Sequence, residues 1–117
     1  MKNKKKIALV TGGAGFIGSH MVDLLLSKNL KVYVIDNLIG GHLKNLKQHH
    51  DNPNLIFKKL NILNLGNSLS FLKKIDYIFH FAGIGDIVPS IEKPQEYMRA
   101  NVQGTVEILE LARKFNV

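Results

Sequence analysis

Apolar positions along this chain fall in two alternating rhythms. Four short runs, Ile7-Ala-Leu-Val-Thr11, Lys31-Val-Tyr-Val-Ile-Asp36, Leu55-Ile-Phe-Lys-Lys-Leu60 and Ile75-Asp-Tyr-Ile-Phe-His-Phe81, are rich in β-branched and aromatic residues and read as strands. Between them the spacing lengthens to that of helices. Ile17 to Lys28 sets Ile17, Met21, Leu24, Leu25 and Lys28 along one stripe, which predicts a helix lying on a sheet. Leu43 to His50 predicts a short second helix, ended by Asp51-Asn-Pro-Asn54, and a further short helix is expected through Leu69, Phe71 and Leu72. Pro94 suits a first helical turn, so a long helix should run from there to about Phe115, packing through Val102, Val106, Leu109 and Phe115 with Tyr97, Met98 and Ala112 nearby. Strands alternating with helices imply an α/β fold built on a parallel sheet.

The first turn gives this alternation a chemistry. Thr11-Gly-Gly-Ala-Gly-Phe-Ile-Gly18 joins the most apolar strand to the first helix, and Asp36 closes the second strand 18 residues beyond Gly18. Glycines alone could serve only a tight turn, and Asp36 only a loop. A strand before the glycines, a helix after them and an acid at the end of strand two together specify a dinucleotide site. Gly12 permits the turn, Gly15 lets backbone approach a diphosphate, and Gly18 lets the helix lie close to the strand. The helix N-terminus offers unpaired N–H groups to the anion. A carboxylate at Asp36 accepts ribose hydroxyls and repels a 2′-phosphate, so NAD is expected over NADP. The whole is predicted to be a Rossmann-type doubly wound parallel sheet of strand order 3-2-1-4, truncated before a fifth strand.

Composition narrows the alternatives. With 117 residues, 45% hydrophobic and 21% charged, the chain suits a single globular domain. It has no cysteine, hence no disulfide or thiolate metal site. The apolar run after the basic start is too short for a signal peptide, and nothing is long enough to span a membrane, so a cytoplasmic location is expected. The formal charge is +7, but Lys2, Lys4, Lys5 and Lys6 are gathered in a solvated tail, and no aromatic-interleaved basic face argues for nucleic acid.

The motifs resemble those of the extended short-chain dehydrogenase/reductase superfamily, in its NAD-dependent epimerase/dehydratase family. Thr11 to His20 is similar to the opening motif, Asp36-Asn-Leu38 to the ribose-binding strand end, His80-Phe-Ala-Gly83 to the strand-four motif and Asn101-Val-Gln-Gly-Thr105 to the motif of the following helix. They run from residue 11 to residue 105, nearly the whole chain, and look most like UDP-glucose 4-epimerases and related dehydratases and decarboxylases. The resemblance implies that residues 1–117 are the N-terminal part of an NAD-binding domain, whose full-length parent moves hydride to and from NAD on a nucleotide sugar. It places Gly12, Gly15, Phe16, Ile17 and Gly18 at the diphosphate, and Asp36 and Asn37 at the adenosine ribose. Asn61 and Ile62 fall beside the adenine, where the family usually has Asp-Ile, and Phe81, Ala82 and Gly83 near ribose and diphosphate. Asn101 is expected as a buried polar tie between strand four and its helix. Gly85 stands where some 4-epimerases have lysine, a departure from that activity.

The remaining polar residues suggest no second site. His80, at the end of an apolar strand, is expected to be a satisfied structural histidine, with a general base as the alternative. His49, His50 and Asp51 lack a third metal-binding neighbour, and Ser90 reads as a helix cap. The resemblance implies catalysis by a Tyr-x-x-x-Lys pair, but Tyr33, Tyr77 and Tyr97 are followed four residues on by Asn37, Phe81 and Asn101. The 117 residues are therefore expected to be inactive alone. A stand-alone NAD-binding module or partner subunit is the second reading. Self-association is expected of the isolated chain, because strand four would be an open edge.

Overall fold

The computed structural model describes residues 4–117. Along the chain come β1 (Ile7–Thr11), α1 (Phe16–Ser27), β2 (Lys31–Asp36), a 3-10 segment (Leu43–His49), β3 (Leu55–Lys59) and a 3-10 turn (Ile62–Asn64). Then follow β4 (Tyr77–His80), α2 (Ile87–Glu92), α3 (Pro94–Tyr97), a π-helical segment (Met98–Gln103) and α4 (Gly104–Lys114). The strands form one sheet in the order β3-β2-β1-β4, all parallel, as expected. β1 and β2 are central, and their alternate side chains build two cores. Ala8, Val10, Val32 and Val34 point to α1, where Val22 and Leu25 cover them. Leu9, Tyr33 and Ile35 point to the opposite face, against Leu69, Leu72 and Ile75, with Leu111 and Phe115 packed behind. Each fully buried aliphatic of this kind contributes about 1.5–3 kcal/mol, so the two central strands dominate the stability of the sheet.

Several expectations need correction. The second helix lies where the pattern put it but is a 3-10 segment, and the run around Leu69 and Leu72 forms successive three-residue turns instead of a helix, closed by N–H bonds such as Ser68 to Leu65 and Leu72 to Leu69. Burial of Leu69 and Leu72 is retained without helical periodicity. α1 buries Gly18, Ser19, Val22 and Leu25, while Ile17 and Leu24 of the expected stripe are exposed. The helix is rotated onto its small residues, because these allow the close approach that bulky ones prevent.

The long helix after Pro94 is continuous but not uniform. In its π-helical middle the hydrogen bonds span i→i+5, adding residues to each turn, so a stripe extrapolated at 3.6 residues loses phase. Gly104 and Ile108 are consequently the buried positions, and Val102, Val106, Leu109 and Met98 face solvent. Of the lysine cluster, Lys2 lies outside the described residues; Lys4, Lys5 and Lys6 are exposed, with Lys5 donating to Asn54 at 2.9 Å. No helix among the described residues is long and apolar enough to cross a membrane.

Candidate functional site

Parallel register brings the site together. Thr11 lies opposite Ile35 on one side and His80 on the other, so β1, β2 and β4 end at the same level. The segments leaving those ends, beginning at Gly12, Asn37 and Phe81, meet where strand order reverses between β1 and β4, the place at which open α/β sheets hold ligands. Gly12 has a left-handed φ of 68°, and a Cβ there would stand 2.7 Å from the Ala82 nitrogen. A Cβ on Gly18 would run into the Gly12 carbonyl. Both glycines are thus required by contact between backbones.

An open pocket of about 250 Å³ lies over this turn, lined by Gly12, Gly15, Phe16, Ile17, Gly18 and Phe81. α1 begins directly beneath it. Gly15 occupies the N-cap without any side-chain cap, and the first intrahelical N–H bond is that of Ser19 to Gly15. The Phe16, Ile17 and Gly18 amides therefore have no helical acceptor and are available to an anion.

Asp36 is only 8% exposed. Its Oδ2 accepts the Ala14 N–H at 3.0 Å and its Oδ1 the Leu38 N–H at 2.8 Å. Each oxygen retains a second lone pair for a hydroxyl donor. The strand-two acid is thereby fastened to the glycine turn. The Ala14 carbonyl in turn accepts the His42 N–H at 3.0 Å and the Asn45 side-chain amide at 2.8 Å. Sequence reasoning missed Asn45; its one signal was a polar residue inside the short Leu43–Leu46 apolar pattern.

The other expected residues are arranged less uniformly. The side-chain oxygen of Asn37 accepts Ile39 N–H at 3.0 Å, and that of Asn61 accepts Leu63 N–H at 2.9 Å, capping the 3-10 turn. Both amides thus shape their own loops. Ile62 is partly buried against the second core. Asn101 is exposed, contrary to expectation, and it ties the helix to the segment after β4, not to the strand itself: its amide donates to the Ile84 carbonyl at 2.8 Å and its oxygen accepts the Ile84 N–H at 2.9 Å. A Cβ on Gly83 would stand 2.8 Å from the Asn101 oxygen. Exposure follows from Asn101's place in the π segment, away from the sheet.

Thr11 was also missed. Fully buried at the end of β1, its hydroxyl oxygen accepts the Phe81 and Ala82 N–H groups, each at 3.1 Å. It pins the segment after β4 against the glycine turn. His80 is a satisfied histidine, bonded on both nitrogens, to Thr11 at 2.6 Å and Thr105 at 3.1 Å. His49 pairs with Asp23 at 2.6 Å and His50 with Asp51 at 3.1 Å, and no metal-sized cluster occurs among the described residues. Ser90 lies inside α2, where it bonds back to Ile87 instead of capping. Tyr97 titrates above the ordinary tyrosine value, through burial first and then the Asp86 and Glu96 charges, the reverse of what a proton-abstracting tyrosine needs. A larger open hollow of about 570 Å³, between Leu43–His50 and the Leu55 and Phe57 side chains, shares no residue with the glycine turn.

A parallel sheet ordered 3-2-1-4, with a glycine turn, an uncapped helix N-terminus and a strand-end carboxylate meeting at its switch point, defines a Rossmann-type dinucleotide-binding fold. The NAD dependent epimerase/dehydratase family model matches residues 8–117, and the chain belongs to that family. It is 38% identical over 106 residues to a UDP-glucose 4-epimerase of Yersinia enterocolitica, covering 87% of this chain and 32% of that one. It is 34% identical over 114 residues to UDP-glucuronic acid decarboxylase 4 of Arabidopsis thaliana, covering 97% and 25%. In structure it is similar to a dTDP-glucose 4,6-dehydratase of Streptomyces venezuelae solved with NAD bound, with a TM-score of 0.86 at 36% identity, covering 95% of this chain and 37% of that chain. The chain spans between a quarter and about a third of the length of the curated relatives named here.

Proposed function

We propose that this chain binds NAD(H) across the carboxyl ends of β1, β2 and β4, as the cofactor-holding part of an enzyme acting on a nucleotide sugar. The observation that carries this reading is the 3.0 Å bond from Ala14 N–H to Asp36, which joins the glycine turn and the strand-two acid in one groove. The Phe16, Ile17 and Gly18 amides would take the diphosphate, with Gly12 and Gly15 leaving the backbone bare to it. Asp36 would take the adenosine ribose hydroxyls, with Asn37 beside it. Asn61 and Ile62 would border the adenine, and Phe81, Ala82 and Gly83 the ribose and diphosphate, with Asn101 holding that segment in place. When bound, the cofactor would accept a hydride from a sugar carbon and return it. No catalytic residue is assigned within these 117 residues, since none of the three tyrosines is followed four positions on by lysine.

Competition between NAD and NADP tests the reading. Calorimetric titration should give tighter binding of NAD, because Asp36 accepts ribose hydroxyls and opposes a 2′-phosphate. Asp36→Ala should weaken NAD by about tenfold or more, a loss of order 1.5–3 kcal/mol for bonds to a charged group, and should narrow the gap to NADP. Equal affinities in the parent chain would refute it.

A further inference from the structure

The hydrogen bonds around His80 select one tautomer of the neutral ring. The Thr105 hydroxyl donates to the Asn101 carbonyl at 2.6 Å, which uses its only proton. Its oxygen must then accept from His80 Nε2, 3.1 Å away, so Nε2 carries a hydrogen. On the other side, Thr11 Oγ1 already accepts the Phe81 and Ala82 amides. The Phe81 amide is shared with the Thr11 carbonyl, 3.0 Å away, so Ala82 is the donor that depends on Oγ1; with the hydrogen on Nε2, Nδ1 of the neutral ring is an acceptor, and at 2.6 Å Thr11 Oγ1 donates to it. The neutral ring thus carries its hydrogen on Nε2 and sits in a chain of donors running from the Phe81 and Ala82 amides through Thr11, His80 and Thr105 to the backbone of the π segment.

We propose that His80 is a positioning residue for the cofactor site: as the neutral Nε2–H tautomer it locks the Phe81–Ala82 wall of the glycine-turn pocket to the following helix, and protonation at Nδ1 opens the lock and weakens cofactor binding. The inference rests on the cofactor reading proposed above. Its physical basis is crowding of donors at one hydroxyl. A proton on Nδ1 would add a donor at Thr11 Oγ1, beside the Ala82 amide and the shared Phe81 amide, while removing the acceptor of its own hydroxyl. Either the ring leaves Thr11 or the Ala82 amide loses its partner; the Phe81 amide keeps the Thr11 carbonyl at 3.0 Å. Phe81 lines the pocket, and the Ala82 nitrogen and Phe81 carbonyl carbon crowd the Cβ position of Gly12, so a shift there reaches the diphosphate turn directly.

The surroundings favour the neutral ring. The groups facing it are Thr11 from β1, Asn101 and Thr105 from the helix, and the Phe81 and Ala82 amides, none of which titrates. Burial holds the imidazole below its ordinary value of 6.5; the charged side chains on the elements packed against it are Arg99, Glu107, Glu110, Arg113 and Lys114, and neither ring nitrogen bonds any of them. The lock should therefore be closed above that value and open only as pH falls through the lowered one.

Two measurements on the full-length protein decide the matter. Long-range proton–nitrogen NMR of the imidazoles, with His80 assigned by its loss in His80→Asn, should show Nε2 protonated and Nδ1 bare at neutral pH without cofactor. A ring protonated on Nδ1, or exchanging between tautomers, would overturn the lock. Calorimetric NAD affinity should be flat above the ring's pKa and fall by up to about tenfold for each pH unit below it, the limit for one linked proton. His80→Asn, which keeps an acceptor for Thr11 and does not titrate, should lose that pH dependence. Thr105→Val should weaken NAD throughout and Thr105→Ser should restore it. The same pH dependence in wild type and His80→Asn would refute the coupling. Absence of NAD binding at every pH would remove the cofactor reading and the coupling with it, while the imidazole spectrum tests the lock separately.

Discussion

Asp76 organises the start of β4 much as Asp36 organises the end of β2, by turning a carboxylate onto a backbone amide. Its Oδ2 accepts the Ile7 N–H at 2.8 Å, while Lys74 and Lys6 stand 3.1 and 3.8 Å from Oδ1. The Ile7 bond is the first cause holding the carboxyl below its ordinary 3.8; burial opposes it and the two lysines assist. Both lysine side chains are more than half exposed, so their share is screened. A lowered carboxylate pKa stabilises the fold above the unfolded value, and that stability is lost as pH falls through the folded one. Asp76→Ala should lower the melting temperature at neutral pH, and the gap from wild type should shrink in melts taken below about pH 3.8. A gap that stayed constant down the series would show that the carboxylate's charge plays no part. At this scale Asp36 was legible, because an acid at a strand end has a spacing to be recognised by. Thr11 and Asn45 were not, since each acts through a partner about 30 or 70 residues away.

Among the elements, α1 shows close approach prevailing over bulk. Hydrophobicity selected Ile17 and Leu24 for the buried face, whereas Gly18, Ser19 and Val22 occupy it with Leu25. Gly18→Ala puts the two effects in competition. Alanine is better than glycine in a helix by about 1 kcal/mol, but here its methyl would meet the rigid Gly12 carbonyl, and such overpacking costs about 1–3 kcal/mol. The clash should win. Gly18→Ala is expected to lower stability and weaken NAD together, in chemical denaturation and calorimetry, because α1 must move off the turn it supports. Unchanged or raised stability would mean that α1 can yield without cost. The helix after Pro94 carries the same lesson in another form. Its existence and extent were readable from apolar spacing, but the π segment advanced the phase, and Ile108 took the place expected of Val106 and Leu109.

At the scale of the molecule, the sheet among the described residues leaves β4 bonded on one side only, to β1. Beside this edge Tyr77 and Phe81 are exposed, and Met98, Val102, Val106 and Leu109 are at least 44% exposed along the helical stretch that follows. An open strand with apolar surface beside it pairs with other chains. The 117 residues by themselves should therefore self-associate, with mass rising across a concentration series in size-exclusion chromatography with light scattering. A compact monomer with a cooperative, concentration-independent melt would show the four-strand unit to be self-sufficient. What the sequence by itself determined is the strand and helix succession, the glycine turn and the acid that belongs to it, because periodicity, turn chemistry and motif spacing act within a few tens of residues. Tertiary structure alone decided which helix faces are buried, how the Ala14 peptide is held, and which hydroxyls meet the two nitrogens of His80. Those outcomes depend on groups brought together from distant parts of the chain, where sequence spacing carries no information and only the packed geometry determines which donor meets which acceptor.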